Sequence, residues 1–205
     1  MSDFYDDRPT PVGTVLVDGR GSLPFALLHG ESLVAAASWA LGHAEVRLLD
    51  FTDSWDAVRD SGAALVLHDA LCPGTPVEFL REAVETAVEQ DRVVAGARPV
   101  TDTVRPAEGA PDDDGTIELG TPVDRDGLRA VVSPLVLPAS VVAALAEAPP
   151  ADRLEDLADT VAWLAGAGHE VLLLAAPATA RRVQDESDLR LLEALAGDRS
   201  TPQAG

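Results

Sequence analysis

Three short segments carry the residues able to do chemistry. They are Leu67-His68-Asp69-Ala70, Pro99-Val100-Thr101-Asp102-Thr103, and Val123-Asp124-Arg125-Asp126-Gly127-Leu128 running on to Ser133-Pro134. Between them they hold carboxylates, hydroxyls and a guanidinium. Asp69 follows the apolar run Ala63-Ala64-Leu65-Val66-Leu67, so it stands just past the end of an expected strand. Open α/β sheets bind ligands at that edge. One carboxylate holds Mg²⁺ when phosphate oxygens and water complete the octahedron. The other reading of Asp69 is a cap for the turn that follows. Arg125 has the planar fork that meets a phosphate with two hydrogen bonds. Its alternative is a solvated turn with Asp124 and Asp126, of little energetic weight.

A fourth segment, Asp18-Gly19-Arg20-Gly21-Ser22, follows the first expected strand. Glycines let backbone N–H groups approach a phosphate closely. A short Gly-x-Gly is equally a tight strand–helix turn with no ligand. The chain has no lysine, so all 15 of its basic residues are arginine. Chemistry on a triphosphate that relies on a lysine ammonium therefore cannot happen here without substitution.

These side chains need a scaffold. The sequence predicts strands at Gly13–Val17, Glu45–Leu49, Ala63–Leu67, Arg92–Ala97, Leu128–Val132 and Glu170–Leu174. Helices are expected around Ser32–Leu41, Ser54–Asp60, Thr75–Gln90, Ala139–Glu147, Asp152–Ala167 and Ser187–Ala196. Strand and helix alternate, which predicts an α/β three-layer sandwich around a mostly parallel, Rossmann-like sheet. Residues 99–127 break the rhythm. Two β-like pieces, Val100–Arg105 and Thr116–Thr121, flank a stretch rich in Pro, Gly and Asp, and this predicts a protruding β-arm. The expected organisation is a flexible acidic N-terminus over 1–11, one domain over 12–197, and a loose tail over 198–205.

Composition narrows the function. The chain has 205 residues, is 46% hydrophobic and carries a formal net charge of -20. That charge argues against nucleic acid and against anionic membrane surfaces as partners. No apolar run reaches the ~20 residues of a membrane span. The single cysteine, Cys72, excludes an intrachain disulfide framework, and a cytoplasmic location is expected. The four histidines, His29, His43, His68 and His169, lack zinc spacing.

The order of these parts resembles the methylerythritol-phosphate cytidylyltransferase family. The resemblance rests on the Gly-rich loop, the His68-Asp69-Ala70 segment, Pro99 to Thr103, Val123 to Leu128, Ser133-Pro134, and Asp188-Leu189 opening the last helix. It implies a nucleotidyltransferase-like fold and transfer of CMP from CTP to a polyol phosphate, with Mg²⁺ and release of pyrophosphate. It implies that Gly19, Arg20 and Gly21 face the CTP phosphates. Asp69 would contact the metal and the substrate phosphate. Thr103, Arg125 and Ser133 would bind the phosphate of the polyol. The arm would cross a homodimer, so Thr103 and Arg125 would serve the neighbouring copy. Arg182 stands where the family has a lysine, which with Arg125 makes it the implied catalytic cation. Three departures touch the triphosphate side. The loop is shortened, the loop lysine position is Phe25, and the arginine after His-Asp-Ala-Leu is Cys72. A weakly active or inactive descendant is therefore expected, with a non-catalytic dimeric scaffold that keeps a phosphate half-site as the alternative.

Overall fold

The computed structural model describes residues 8–101, 103–109 and 116–197. Most of the acidic N-terminus, Asp102, the arm tip over 110–115 and the tail over 198–205 lie outside them. The chain runs through β1 (Val12–Leu16), a small hairpin of β2 (Leu27–Leu28) and β3 (Glu31–Ser32), α1 (Leu33–His43) and β4 (Arg47–Leu48). Next come α2 (Trp55–Asp60), β5 (Leu65–Asp69), α3 (Val77–Gln90) and β6 (Val93–Pro99). The arm supplies β7 (Ala107–Glu108) and β8 (Glu118–Leu119). The chain closes with β9 (Arg129–Leu137), α4 (Ala139–Ala144), α5 (Ala151–Leu154), α6 (Leu157–Gly166), β10 (Val171–Ala175) and α7 (Glu186–Gly197).

Six strands form one sheet in the order β10-β6-β9-β5-β1-β4. All neighbours are parallel except β9, which runs antiparallel to both β5 and β6. The mostly parallel α/β sandwich expected from the sequence is thus present. The strands are apolar on both faces, as a doubly covered sheet requires. Leu65, Leu67, Val93, Ala95, Leu135 and Leu137 face one layer with Val141, Val142, Leu157 and Leu164. Their alternates Ala64, Val66, Val94 and Val136 pack against Leu41 of α1 and Leu80, Ala83 and Ala87 of α3. With few aromatics, the core is built from Ala, Val and Leu.

The structure changes four expectations. The strand expected at Leu128–Val132 runs on to Leu137, since its second half is fully buried between β5 and β6. The single helix expected over Asp152–Ala167 is two. The Asp156 side chain accepts from Ala158 N and starts a new helix there. The arm ladder is short, pairing Ala107 with Leu119 and Glu108 with Glu118. The described residues between Pro99 and Pro106 form no strand, and Val104 joins the arm only by accepting from Val123 N at 2.9 Å. The last helix, expected from Ser187, begins at Glu186, and the Asp185 side chain accepts from Ser187 N and Asp188 N at its start. Among the described residues no helix is long and apolar enough to cross a membrane.

Candidate active site at the C-terminal strand edge

Asp69 ends β5, the central parallel strand, and its side chain is almost wholly buried, at 2% exposure. Two arginines converge on it. Arg20 Nε donates to Oδ1 at 2.6 Å, and Arg20 Nη2 to Oδ2 at 3.2 Å. Arg182 Nε donates to Oδ2 at 3.0 Å. The backbone N–H of Leu71 completes the set at 2.9 Å on Oδ1. Burial alone would raise the Asp69 pKa, but the hydrogen bonds from Arg20, Leu71 and Arg182 and the Arg20 charge outweigh it and hold the carboxyl below its ordinary range.

Arg20 reaches Asp69 because the loop after β1 folds inward. Gly19 has φ +75, a left-handed backbone that favours glycine. A Cβ there would also meet the Glu155 side chain at 2.5 Å. The turn sends the Arg20 side chain into the crevice, where Nη1 bonds the Asp18 carbonyl and Nη2 the Leu154 carbonyl at 3.0 Å. Leu154 ends α5, so the guanidinium satisfies a carbonyl that the helix end leaves open. This contact lies at the break between α5 and α6, where the Asp156 cap starts the new helix. Neither Leu154 nor Glu155 has a local sequence signal for this role, as both act through a contact far along the chain.

Arg182 is placed by close packing of two loops. The turn after β5 carries Gly74, and a Cβ there would lie 2.4 Å from the Thr179 carbonyl. Glycine alone lets the segment after β10 come so near. Val183 N then bonds Leu71 O at 2.7 Å, which fixes Arg182 beside Asp69.

Ser133 lies on β9 opposite Asp69 and is fully buried. Its Oγ accepts from Asp69 N at 3.0 Å and bonds His68 Nδ1. His68 Nε2 is buried with no partner. A bare ring nitrogen is tolerated there more cheaply than an unpaired N–H, so Nδ1–H donates to Ser133. Burial holds the His68 pKa down, to about 4, with the Asp69 charge opposing it, and the ring is neutral. The family resemblance implies Ser133 at a ligand phosphate; in the structure its hydroxyl is turned inward and holds the Asp69 backbone. Cys72 is also fully buried, and its thiol pKa is pushed up to about 12, mainly by burial. It is inert filler.

Arg20, Asp69 and Arg182 are therefore brought together, with Gly19 and Gly21 in the adjoining loop. Thr103 and Arg125 are not part of this cluster. Both are exposed, and Arg125 Nη1 bonds the Thr101 carbonyl within the arm base. Phe25 is 65% exposed. The implied Mg²⁺ does not fit Asp69 as it stands. Its oxygens already accept four hydrogen bonds, two of them from Arg20 and one from Arg182. Among the described residues no three His, Cys, Asp or Glu side chains gather to form an alternative.

A doubly covered, mostly parallel sheet with its charged side chains at the C-terminal strand ends defines an α/β domain of the doubly wound kind, with a ligand crevice at that edge. Comparison with known proteins gives the family. The sequence model for 2-C-methyl-D-erythritol 4-phosphate cytidylyltransferase matches residues 47–197. The chain therefore belongs to the 2-C-methyl-D-erythritol 4-phosphate cytidylyltransferase family. It is 32% identical over 141 residues to the enzyme of that name from Frankia casuarinae, covering 68% of this chain and 48% of that protein. It is 33% identical over 146 residues to the one from Bordetella pertussis, covering 67% of this chain and 58% of the relative. The matched stretch thus spans about half the length of these curated relatives. In fold, it matches the crystal structure of the Thermus thermophilus 2-C-methyl-D-erythritol 4-phosphate cytidylyltransferase at a TM-score of 0.60 and 19% identity, covering 92% of this chain and 99% of that one. A structure of 4-diphosphocytidyl-2C-methyl-D-erythritol synthase matches at 0.63 and 16%, with the same coverage. The family match begins at residue 47, so the loop that carries Arg20 lies outside it.

Proposed function

We propose that this protein binds the phosphate of a small polyol and that its transfer of CMP from CTP is reduced by at least ~10², the usual cost of losing one well-placed cationic or oxyanion donor. The reaction class is that of its relatives: CTP and a polyol phosphate give a CDP-polyol and pyrophosphate. One observation carries the reduction. Arg20 is the only cation in the loop after β1, and its guanidinium is buried against Asp69, Asp18 O and Leu154 O. A cation so committed does not meet a triphosphate. The lysine position of the loop is the exposed Phe25, and the acidic stem of Glu155 lies over Gly19. Phosphoryl-type transfer depends on electrostatics, so such losses fall on the rate itself.

The polyol side is better supplied. Arg182 keeps a guanidinium at the crevice, and Thr103 and Arg125 stand exposed on the arm base. We assign them to the substrate phosphate, with the arm of one copy serving the site of the other in a homodimer. The exposed apolar residues Ile117, Leu119 and Val123 on the arm support that assembly. A non-catalytic scaffold that keeps the same half-site is the second reading. It is favoured by the same burial of Arg20. The single buried cysteine suits a reducing cytoplasm.

Separate calorimetric titrations with methylerythritol phosphate and with CTP test this reading. Two or three charge-assisted hydrogen bonds give millimolar binding of the polyol phosphate, ~4 kcal/mol in total. CTP binding without polyol phosphate binding would show that the surviving half has been assigned to the wrong ligand.

A further inference from the structure

We propose that Asp69 is not a divalent-cation ligand but the counter-ion of an arginine pair, so that the crevice takes a phosphate dianion on the Arg182 guanidinium without a metal. The inference rests on the phosphate reading above and adds how the phosphate is held.

The donor set carries it. An ionised carboxylate offers about four lone-pair positions. In Asp69 all are taken: Arg20 Nε and Leu71 N on Oδ1, Arg20 Nη2 and Arg182 Nε on Oδ2. A magnesium ion needs an open oxygen at about 2.0–2.1 Å and near-octahedral geometry. At Asp69 it would have to displace a guanidinium and then lie beside it, cation against cation. Of the two guanidinium groups it could displace, Arg182 is the phosphate ligand of this scheme and Arg20 has nowhere to go. Arg20 is 1% exposed, and its other bonds run to the Asp18 and Leu154 carbonyls. The nearby loop carboxylate, Glu155, belongs to no group of three or more potential ligands among the described residues.

Charge counting gives the same result. Arg20, Asp69 and Arg182 sum to one positive charge in a chain of formal net charge -20. Arg20 neutralises the carboxylate from the buried side. Arg182 bonds it through Nε only, and its side chain remains 35% exposed. In the proposed site the outer guanidinium nitrogens are the donors to an oxyanion, and the Nε bond to the buried Asp69 holds the fork in place. Asp69 is a positioning residue in this scheme, and Arg182 is the group that touches ligand. The packing of Gly74 on Thr179 and the Val183–Leu71 bond hold that arrangement rigid.

Inorganic phosphate is the probe, titrated by calorimetry into the full chain once in EDTA and once in MgCl₂ at matched ionic strength. The dissociation constants should agree within about twofold. Arg182→Gln should weaken binding about tenfold or more, and Arg182→Lys, which keeps charge but loses the fork, should fall between. Phosphate binding that tightens about tenfold or more with Mg²⁺ overturns the metal-free site and leaves the phosphate reading standing. No phosphate binding in either buffer overturns both. Mn²⁺ uptake followed by electron paramagnetic resonance gives a second readout. A bound Mn²⁺ that Asp69→Asn abolishes contradicts the proposal, and uptake unchanged by that variant supports it. The wild-type titration needs no variant, so the test survives if a substitution fails to fold.

Discussion

Arg20 and Asp69, 49 residues apart in the chain, meet in a forked ion pair with both side chains nearly sealed from solvent. Such a pair is costly to break from one side, because the partner is left charged and buried. The loop after β1, the end of β5 and the end of α5 are joined through this one guanidinium. It orders the crevice and removes the loop's only cation from any ligand.

Arg20→Ala should therefore destabilise the fold by about 3–5 kcal/mol. Chemical denaturation of the wild type and variant measures it. A loss below about 1 kcal/mol, the range of surface ion pairs, would mean that the pair is solvated in solution.

The neutral, buried His68 predicts a pH dependence. Its pKa is depressed to about 4 from 6.5. Between those values the unfolded chain binds a proton that the folded chain does not, so stability falls as pH drops from 6.5 towards 4. The loss is on the order of 3 kcal/mol. Asp69, also depressed, adds a further loss as pH falls below its ordinary value of 3.8. Denaturation midpoints between pH 7 and pH 4 should show the slope, and His68→Gln should flatten it. An equal slope in the variant would assign the effect to other groups.

Much of this architecture is legible in the sequence. The apolar runs of β5 and β6 and the amphipathic α3 announce a doubly covered sheet, and Asp69 at a strand end announces a site. What periodicity cannot carry is contact at long range. Nothing near Arg20 says that it turns inward, since the decision is made by Asp69 and by the Leu154 carbonyl. Ser133 is a polar residue in a strand that is exposed at Arg129 and Ala130 and buried from Val132 on, so the sheet closes over it and its hydroxyl faces His68. The break between α5 and α6 has a signal, the Asp156 cap, which a continuous apolar pattern conceals.

Gly74→Ala tests the placement of Arg182. The added methyl would sit 2.4 Å from the Thr179 carbonyl, which is backbone and cannot swing away. The expected cost is ~1–3 kcal/mol of overpacking. The segment bearing Arg182 should shift, weakening phosphate binding. An unchanged melting temperature with unchanged phosphate affinity would show that the two loops are not held as described.

The arm predicts assembly. Leu119 is 64% exposed, and Ile117 and Val123 are each 40% exposed. A symmetric dimer that covers them is expected at micromolar concentration. Light scattering of the intact chain should give twice the chain mass, and replacing residues 100–128 by a short Gly-Ser linker should give monomer. A monomeric intact chain would contradict the exchanged arm.

The most direct test is pyrophosphate release by the purified protein with CTP, methylerythritol phosphate and Mg²⁺, followed by a coupled assay. With Arg20 committed to Asp69 and Phe25 at the lysine position, turnover should lie far below the ~1–10³ s⁻¹ common to enzymes. Turnover within that range would contradict the account.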